Sequence, residues 1–258
     1  MRWLFFACLV GCAQAGAPGG APIDANEGGH TNTDSGFGMH PDAPMRPIDA
    51  AVAPIDAPPG MTTKTLDQNT TDTLAGDTSV ACGYTGLHIG TKASKYYRVF
   101  PLSSFGITTA FHLSSAAFQV EDCESNDADC TSVTIDVGTY SPSPGAKLTG
   151  TFTQIASTSA TIPLVVEDQN GNTPGGTVTA TFNPPALIPA NSNLYFEIDA
   201  PDGEDTYQLY VGGNAAGENG LSYTSSSCAG STPVDIATTT GATPPPNIDL
   251  LMTVTGTY

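Results

Sequence analysis

NLYFEIDA, residues 193–200, is the stretch that decides the fold. Leu194, Phe196 and Ile198 fall on one side of an extended chain, and Tyr195, Glu197 and Asp199 on the other. A strand with one apolar and one polar face has this period of two, whereas a helix would repeat its apolar positions every three or four residues. The same alternation recurs elsewhere. Val133, Ile135 and Val137 alternate with Thr134 and Asp136, and Tyr207, Leu209 and Val211 alternate with Gln208 and Tyr210. Ile248, Leu250, Met252 and Val254 make a further inward row. Weaker strand patterns cover 96–101, 114–121, 151–156, 161–166 and 177–182.

Turn-forming residues separate these segments: Ser-Pro-Ser-Pro-Gly at 141–145, Asn-Gly-Asn at 170–172 and Pro-Asp-Gly at 201–203. No stretch sets Leu, Glu, Lys and Arg at helical spacing. Residues 61–258 are therefore predicted to form one all-β domain, an antiparallel β-sandwich of jelly-roll type. An immunoglobulin-like sandwich is the alternative. Trp3 is the only tryptophan and lies far from these strands, which counts against a true immunoglobulin domain.

Upstream, the composition changes. Residues 13–60 are rich in Ala, Pro, Gly and Asp, with Ile23, Phe37, Ile48, Val52 and Ile55 almost the only large apolar side chains. Pro-Ile-Asp-Ala occurs at 22–25, 47–50 and 54–57, too short and too irregularly spaced to build a repeat fold. Such a chain buries too little surface to offset its entropy, so 12–60 reads as a disordered, proline-stiffened linker. His30 and His40 in it read as solvated.

The first eleven residues have the layout of an export signal, with Arg2 ahead of the short apolar run Trp3 to Val10. That run is too short to span a bilayer as a helix. It ends in Leu9-Val10-Gly11-Cys12, which resembles the lipobox of bacterial lipoproteins. The resemblance implies cleavage before Cys12, a diacylglyceryl thioether on its sulfur and acylation of its freed amine. Two or three acyl chains would then hold the protein on a membrane. Ala13 implies, by the family's sorting rule, the outer membrane or cell surface. The competing reading is Ala13-Gln14-Ala15, an A-x-A site whose cleavage would release a secreted protein.

With 25 acidic and 7 basic residues the chain carries a formal charge of −18. That balance repels nucleic-acid phosphate and anionic lipid, so a nucleic-acid partner is excluded. Beyond Cys12, the cysteines are Cys82, Cys123, Cys130 and Cys228. An exported chain with an even number reads as disulfide-bonded. Cys123 and Cys130 bracket ESNDAD between two strand patterns, which suggests a local staple across a hairpin loop and leaves Cys82 to pair with Cys228. Zinc would need clustered Cys or His at short spacing, and there is no C-x-x-C.

SVAC at 79–82, YYRVFPLSSFGIT at 96–108, VGGNAAGENGLSYTSSSCA at 211–229 and PNIDLLMTVTGTY at 246–258 together resemble an uncharacterised β-sandwich module of secreted bacterial proteins. The resemblance implies the sandwich and the Cys82–Cys228 pair, and brings no catalytic residue with it.

Catalytic motifs are missing: there is no G-x-S-x-G elbow, H-E-x-x-H, phosphate loop or dinucleotide fingerprint. His88 and His112 remain as general-base candidates without a local partner, and any carboxylate pair for hydrolase work cannot be chosen among so many acids. No cofactor is implied, except that calcium would find oxygen ligands in the stapled loop at Asp122, Glu124, Asn126, Asp127 and Asp129, with Glu121 beside them. Asp202, Glu204 and Asp205 form a second acidic loop. Neither matches an EF-hand. For a glycan, Tyr84, Tyr96, Tyr97, Tyr140, Tyr195, Tyr210 and Tyr223 are available as a stacking platform, although adjacent Tyr96 and Tyr97 must face opposite sides of a strand. The sequence therefore predicts a membrane-anchored envelope lipoprotein carrying a binding or structural module for a glycan or protein ligand. A secreted carboxylate- or His-based hydrolase and a calcium-dependent adhesion module are the rivals.

Overall fold

The computed structural model describes residues 60–76, 78–84, 90–127, 129–165, 175–238 and 248–258. The signal, Cys12, His88 and all of the linker but its last residue lie outside them. Among the described residues thirteen strands are present: β1 (Thr63–Leu66), β2 (Ser94–Pro101), β3 (Phe111–Ser125), β4 (Asp129–Ser141), β5 (Thr151–Pro163), β6 (Gly176–Ile188), β7 (Asn193–Ala200), β8 (Tyr207–Val211), β9 (Gly213–Asn214), β10 (Ser222–Ser226), β11 (Gly230–Asp235), β12 (Asp249–Leu250) and β13 (Met252–Thr257). The described residues contain no α-helix, only short 3-10 turns at Leu102–Phe105 and Ile236–Thr238.

Every strand pair is antiparallel. One sheet runs β1-β13-β3-β6, with β8 also paired to β3; the second runs β11-β10-β2-β7-β4-β5, and β9 and β12 make a small ribbon. Counting β1 to β7 and then β13 as the eighth strand, the two sheets read 1-8-3-6 and 2-7-4-5. That is the strand order of a jelly roll, the first of the two topologies expected from the alternation. The strands β8 to β12 are an insertion between the seventh and eighth; β10 and β11 widen the second sheet to six strands.

The core follows from parity. Tyr96 and Phe100 of β2, Leu113, Ala116, Phe118 and Val120 of β3, Val133, Ile135 and Val137 of β4, and Leu194, Phe196 and Ile198 of β7 meet in one cluster between the sheets. Removing that apolar surface from water is the main driving force for the sandwich. Two segments differ from the sequence pattern. The pattern at 151–156 and the first half of that at 161–166 are parts of the single strand β5, which ends at Pro163, because Ser157-Thr158-Ser159 stays extended without a large apolar residue. The row 248–254 belongs to two strands divided at Leu251, which itself is buried.

Both disulfides join the cysteines that were expected to pair, with Cα separations of 5.7 Å for Cys82–Cys228 and 5.8 Å for Cys123–Cys130. The expected hairpin at Cys123–Cys130 is corrected. β3 pairs with β13, β6 and β8, whereas β4 pairs with β5 and β7, so the staple closes a corner where the chain passes from one sheet to the other. Two disulfides in one domain belong to an oxidising, non-cytosolic compartment.

Candidate functional site

β2 carries two cations on opposite faces, and each organises a charged cluster. Arg98 points into the sandwich with Tyr96 and Phe100 and is wholly buried. Its guanidinium donates to Asn69 Oδ1 and Glu218 Oε2, to Ser222 Oγ at 3.2 Å and to the Gly220 carbonyl at 3.4 Å. Ser222 Oγ in turn donates to Glu218 at 2.8 Å and accepts from the Leu250 backbone N–H at 2.9 Å. Asp249 is buried in the same group. Burial pushes the Glu218 carboxyl up to about 7, although Arg98 and the Ser222 hydrogen bond pull the other way. Burial also raises the Asp249 carboxyl. These contacts tie β2 to the segments at 69, 218–222 and 249, so the cluster has the form of an internal lock, although Arg98 Nε, Asn69 Nδ2 and Asp249 Oδ2 are buried in it without a hydrogen-bond partner.

Lys95 points outward, and the residues around it form a regular array on the outer face of the six-stranded sheet. Register sets three rows across the strands. Ser225, Lys95, Asp199, Thr134 and Ser159 make the first; Tyr223, Tyr97, Glu197, Asp136 and Ser157 the second; Val99, Tyr195, Gly138 and Gln154 the third. The Lys95 ammonium lies 2.6 Å from Glu197 Oε1 and 2.8 Å from Asp199 Oδ2. Burial works against its charge, but Asp199 and Glu197 outweigh that and hold the ammonium above the ordinary lysine range. Burial raises the Glu197 carboxyl against the pull of Lys95. Gln154 Nε2 donates to Asp136 Oδ1 at 3.0 Å, fixing the next carboxylate along.

The third-row end of this face is closed. Residues 142–150 cross over it, held to β11 by backbone bonds from Leu148 N to Pro233 O (2.9 Å) and from Asp235 N to Ala146 O (3.1 Å). Leu148 packs there with Tyr97, Val99, Tyr140, Tyr195 and Tyr223, and Phe152 joins them. Phe152 meets Tyr195 edge-on with ring centroids 5.1 Å apart. Tyr195 lies so close over Gly138 that a Cβ there would come within 2.8 Å of its ring and 2.1 Å of the Thr153 carbonyl; only glycine fits. The first-row end is open. A groove of about 530 Å³ runs along it, lined by Lys95, Tyr97, Asp199, Ser225 and the serines of the β10–β11 turn. Tyr97 and Ser225 share a hydrogen bond of 3.3 Å at its floor. Burial pushes the Tyr97 hydroxyl up to about 12, so it is neutral at physiological pH.

The aromatic platform anticipated for a glycan takes a different form. Tyr97, Tyr140, Tyr195 and Tyr223 do converge on one face, but they bury one another there and present no ring to solvent. Tyr96 points into the core and donates to the Val80 carbonyl at 2.8 Å. Tyr84 donates to both Asp202 oxygens at 2.8 Å, with the Lys92 ammonium 5.1 Å above its ring. Tyr210 lies on β8 in the other sheet.

The calcium candidates are not gathered into a cage. Asp122 and Glu124 sit along β3, Asn126 and Asp127 in the corner, and Asp129 at the start of β4; all but half-buried Asp122 are exposed. They are spread over the end of β3, the corner and the start of β4; Asp127 and Asp129 line a common groove with Ser125, without a third of these acids. Among the described residues no three Cys, His, Asp or Glu side chains are grouped to hold a metal. His112 lies on β3 with Leu187 and Thr257 as its cross-strand neighbours, so neither flanking strand offers it a carboxylate at that position. No helix among the described residues is long and apolar enough to cross a membrane.

Two functional features were missed in the sequence. The parity of KYYRVF already places Arg98 on the inward face with Tyr96 and Phe100, a signal that a buried cation needs a partner. The Glu197–Asp199 spacing likewise marks two acids on one face of β7, although nothing local points to Lys95. No protein-family model, curated protein or solved structure matches the chain.

Proposed function

We propose that this protein is a non-catalytic binding module of the cell envelope, held to a membrane by lipid on Cys12, and that the groove beside Lys95 takes an uncharged polyhydroxyl ligand, a saccharide chain. The observation that carries the reading is the division of the outer face. One end is sealed by residues 142–150, while the other keeps charged and hydroxyl groups at the surface of an open groove. Lys95 and the serines supply donors, and Asp199 supplies acceptors, the mix a sugar hydroxyl needs. The surrounding acids and the net charge of −18 disfavour an anion. Since the tyrosines are buried, recognition here would run through hydrogen bonds, with little stacking. The lipobox resemblance and the disulfides support a position outside the cytosol.

Titrating the purified chain with a panel of neutral and acidic polysaccharides by calorimetry tests the groove. Binding to a neutral glycan that Asp199→Ala abolishes is expected; binding left intact by that change would remove the groove from the reading. The anchor has its own readout, since Cys12→Ser should move the protein from the detergent to the aqueous phase.

A hydrolytic reading is favoured by one feature, the buried Glu197 carboxyl directly across from Asp136. Lys95 already engages both Glu197 and Asp199 as ion pairs, which suits holding a ligand better than shuttling a proton. Turnover of a bound glycan that Glu197→Gln stops would reverse this ranking.

A further inference from the structure

Among the described residues four strands end the two sheets, β1, β6, β11 and β5, while the short β8 lies beside β3 with its other side bridged at Val211 by Val80. An exposed edge offers unpaired N–H and C=O groups to any other strand, and natural sheets blunt it with short strands, charge, proline or bulges. Three of the four are blunted. β1 spans four residues and includes Lys64; β6 carries Pro184 and Pro185; β11 has Pro233 and Asp235 and is bridged at Val234 by Lys147. β5 differs. Over thirteen residues, TFTQIASTSATIP, it has no charged side chain, and its proline comes only at the last position. A register shift against β4 near Ile155 bends its first third. From Ala156 to Ile162 the strand is regular; among the described residues only β4 hydrogen-bonds along it, and β6 runs beside it across an open cleft of about 470 Å³ between residues 155–158 and 181–187.

The first five residues of this segment read the same in both directions. Ala156-Ser157-Thr158-Ser159-Ala160 is symmetric about Thr158. An antiparallel pair of two such strands therefore places like residues opposite one another, Ser157 against Ser159 and Ala156 against Ala160, around a two-fold axis through Thr158. Ser157 and Ser159 are exposed on the outer face, where facing hydroxyls can hydrogen-bond across strands. Charge also favours this edge. Copies of a chain with net charge −18 repel one another over most of their surface, but β5 and the neighbouring edge β6 are both uncharged along their full length.

We infer that the free edge of β5 pairs with β5 of a second copy of this chain. The pairing joins two six-stranded sheets into one continuous sheet. Because the axis of an antiparallel strand pair stands perpendicular to the sheet, both outer faces end on the same side. The rows that run from Lys95 through Asp199 and Thr134 to Ser159 then continue into the second copy, with two grooves presented together. A surface-held dimer of this kind would gain avidity for a repetitive ligand. The pairing itself does not depend on what the groove binds.

The test is light scattering on the full chain carrying Cys12→Ser, so that lipid plays no part, over a concentration series. A mass rising toward twice 26.4 kDa is expected. Ser157→Lys with Ser159→Lys sets lysine against lysine at both symmetric positions and should shift the dissociation midpoint upward by about tenfold or more. Ser157→Lys with Ser159→Asp sets lysine against aspartate in the same register and should keep the dimer. These side chains are exposed, and the second pair guards against a folding defect in the first. A wild-type mass of one chain at every concentration overturns the inference. So does a dimer indifferent to the paired lysines, or one lost equally with the lysine–aspartate pair.

Discussion

Arg98 and Lys95 stand three residues apart on one strand, and each holds a Glu within ion-pair distance, yet they face different solvents. The Arg98 side chain is 0% exposed and its Glu218 partner 11%, while Lys95 is 41% exposed. A buried guanidinium has to be matched by a counter-charge, because an uncompensated charge in the interior costs several kcal/mol. The chain answers the charge with Glu218 and sets Asn69, Gly220 and Ser222 on the guanidinium, with Asp249 of a third segment beside them, while the buried Nε–H has no partner. Lys95 is under no such demand. Water reaches it, and with two of its three N–H donors on Glu197 and Asp199 one is left for water or, on the reading proposed above, a ligand in the groove. The contrast separates a charge that specifies the fold from one that is free to specify a partner.

The sharpest way to break this contrast is Arg98→Ala. Removing the cation leaves Glu218 and Asp249 buried without their main counter-charge, and a loss of about 3–5 kcal/mol in urea unfolding is expected. Arg98→Lys should recover little, since one ammonium cannot reach Asn69, Glu218, Gly220 and Ser222 together. If Arg98→Ala cost no more than Lys95→Ala, burial would not distinguish the two clusters.

A second effect, on the order of 1–3 kcal/mol, concerns pH. Glu218 has its carboxyl raised by burial from an ordinary 4.5 to about 7. The folded state thus holds a proton that the unfolded chain releases at lower pH. The resulting contribution is present in full below about pH 4.5 and is lost as pH rises through about 7. Asp249, raised for the same reason, adds to the fall. The urea midpoint should decline across that window, and Glu218→Gln, which has no proton to lose, should flatten the decline. An unchanged slope in Glu218→Gln would show that the carboxyl is satisfied in its charged form.

What could be read from the sequence divides along the same line of local against distant pairing. Strands β4, β7, β8 and β13 were visible because each alternates apolar and polar residues within a few positions. β5 was seen only in pieces, since an edge strand exposed along most of its length needs no apolar row. The cysteine staple was legible, but whether it spans a hairpin or a corner depends on which sheet each strand joins, and pairings such as Cys123 with Leu209 are remote in the chain. Half of each charged cluster was also legible. The inward parity of Arg98 and the outward pair Glu197 and Asp199 follow from the strand period. Their partners, 120 and 102 positions away, follow only from the fold. The calcium candidates show the opposite failure: near in sequence, they are strung along β3, the corner and β4, and among the described residues no three acids are grouped to hold a metal.

The smallest effect on stability is expected at the outer cation. An ion pair this open to water contributes about 0–1 kcal/mol, so Lys95→Ala should leave the urea midpoint almost where it was. The same change removes the donor from the groove floor and should abolish the glycan binding measured by calorimetry. Lys95→Arg sharpens the point: it keeps the charge beside Glu197 and Asp199 but replaces a compact, rotatable ammonium with a planar fork. Stability should again be unaffected, while affinity for a neutral glycan should fall, since its hydroxyls meet the geometry of the donor and not its charge alone. Were either variant to destabilise the protein as much as Arg98→Ala, the outer cluster would be a second structural lock, and its place beside an open groove would lose its functional meaning.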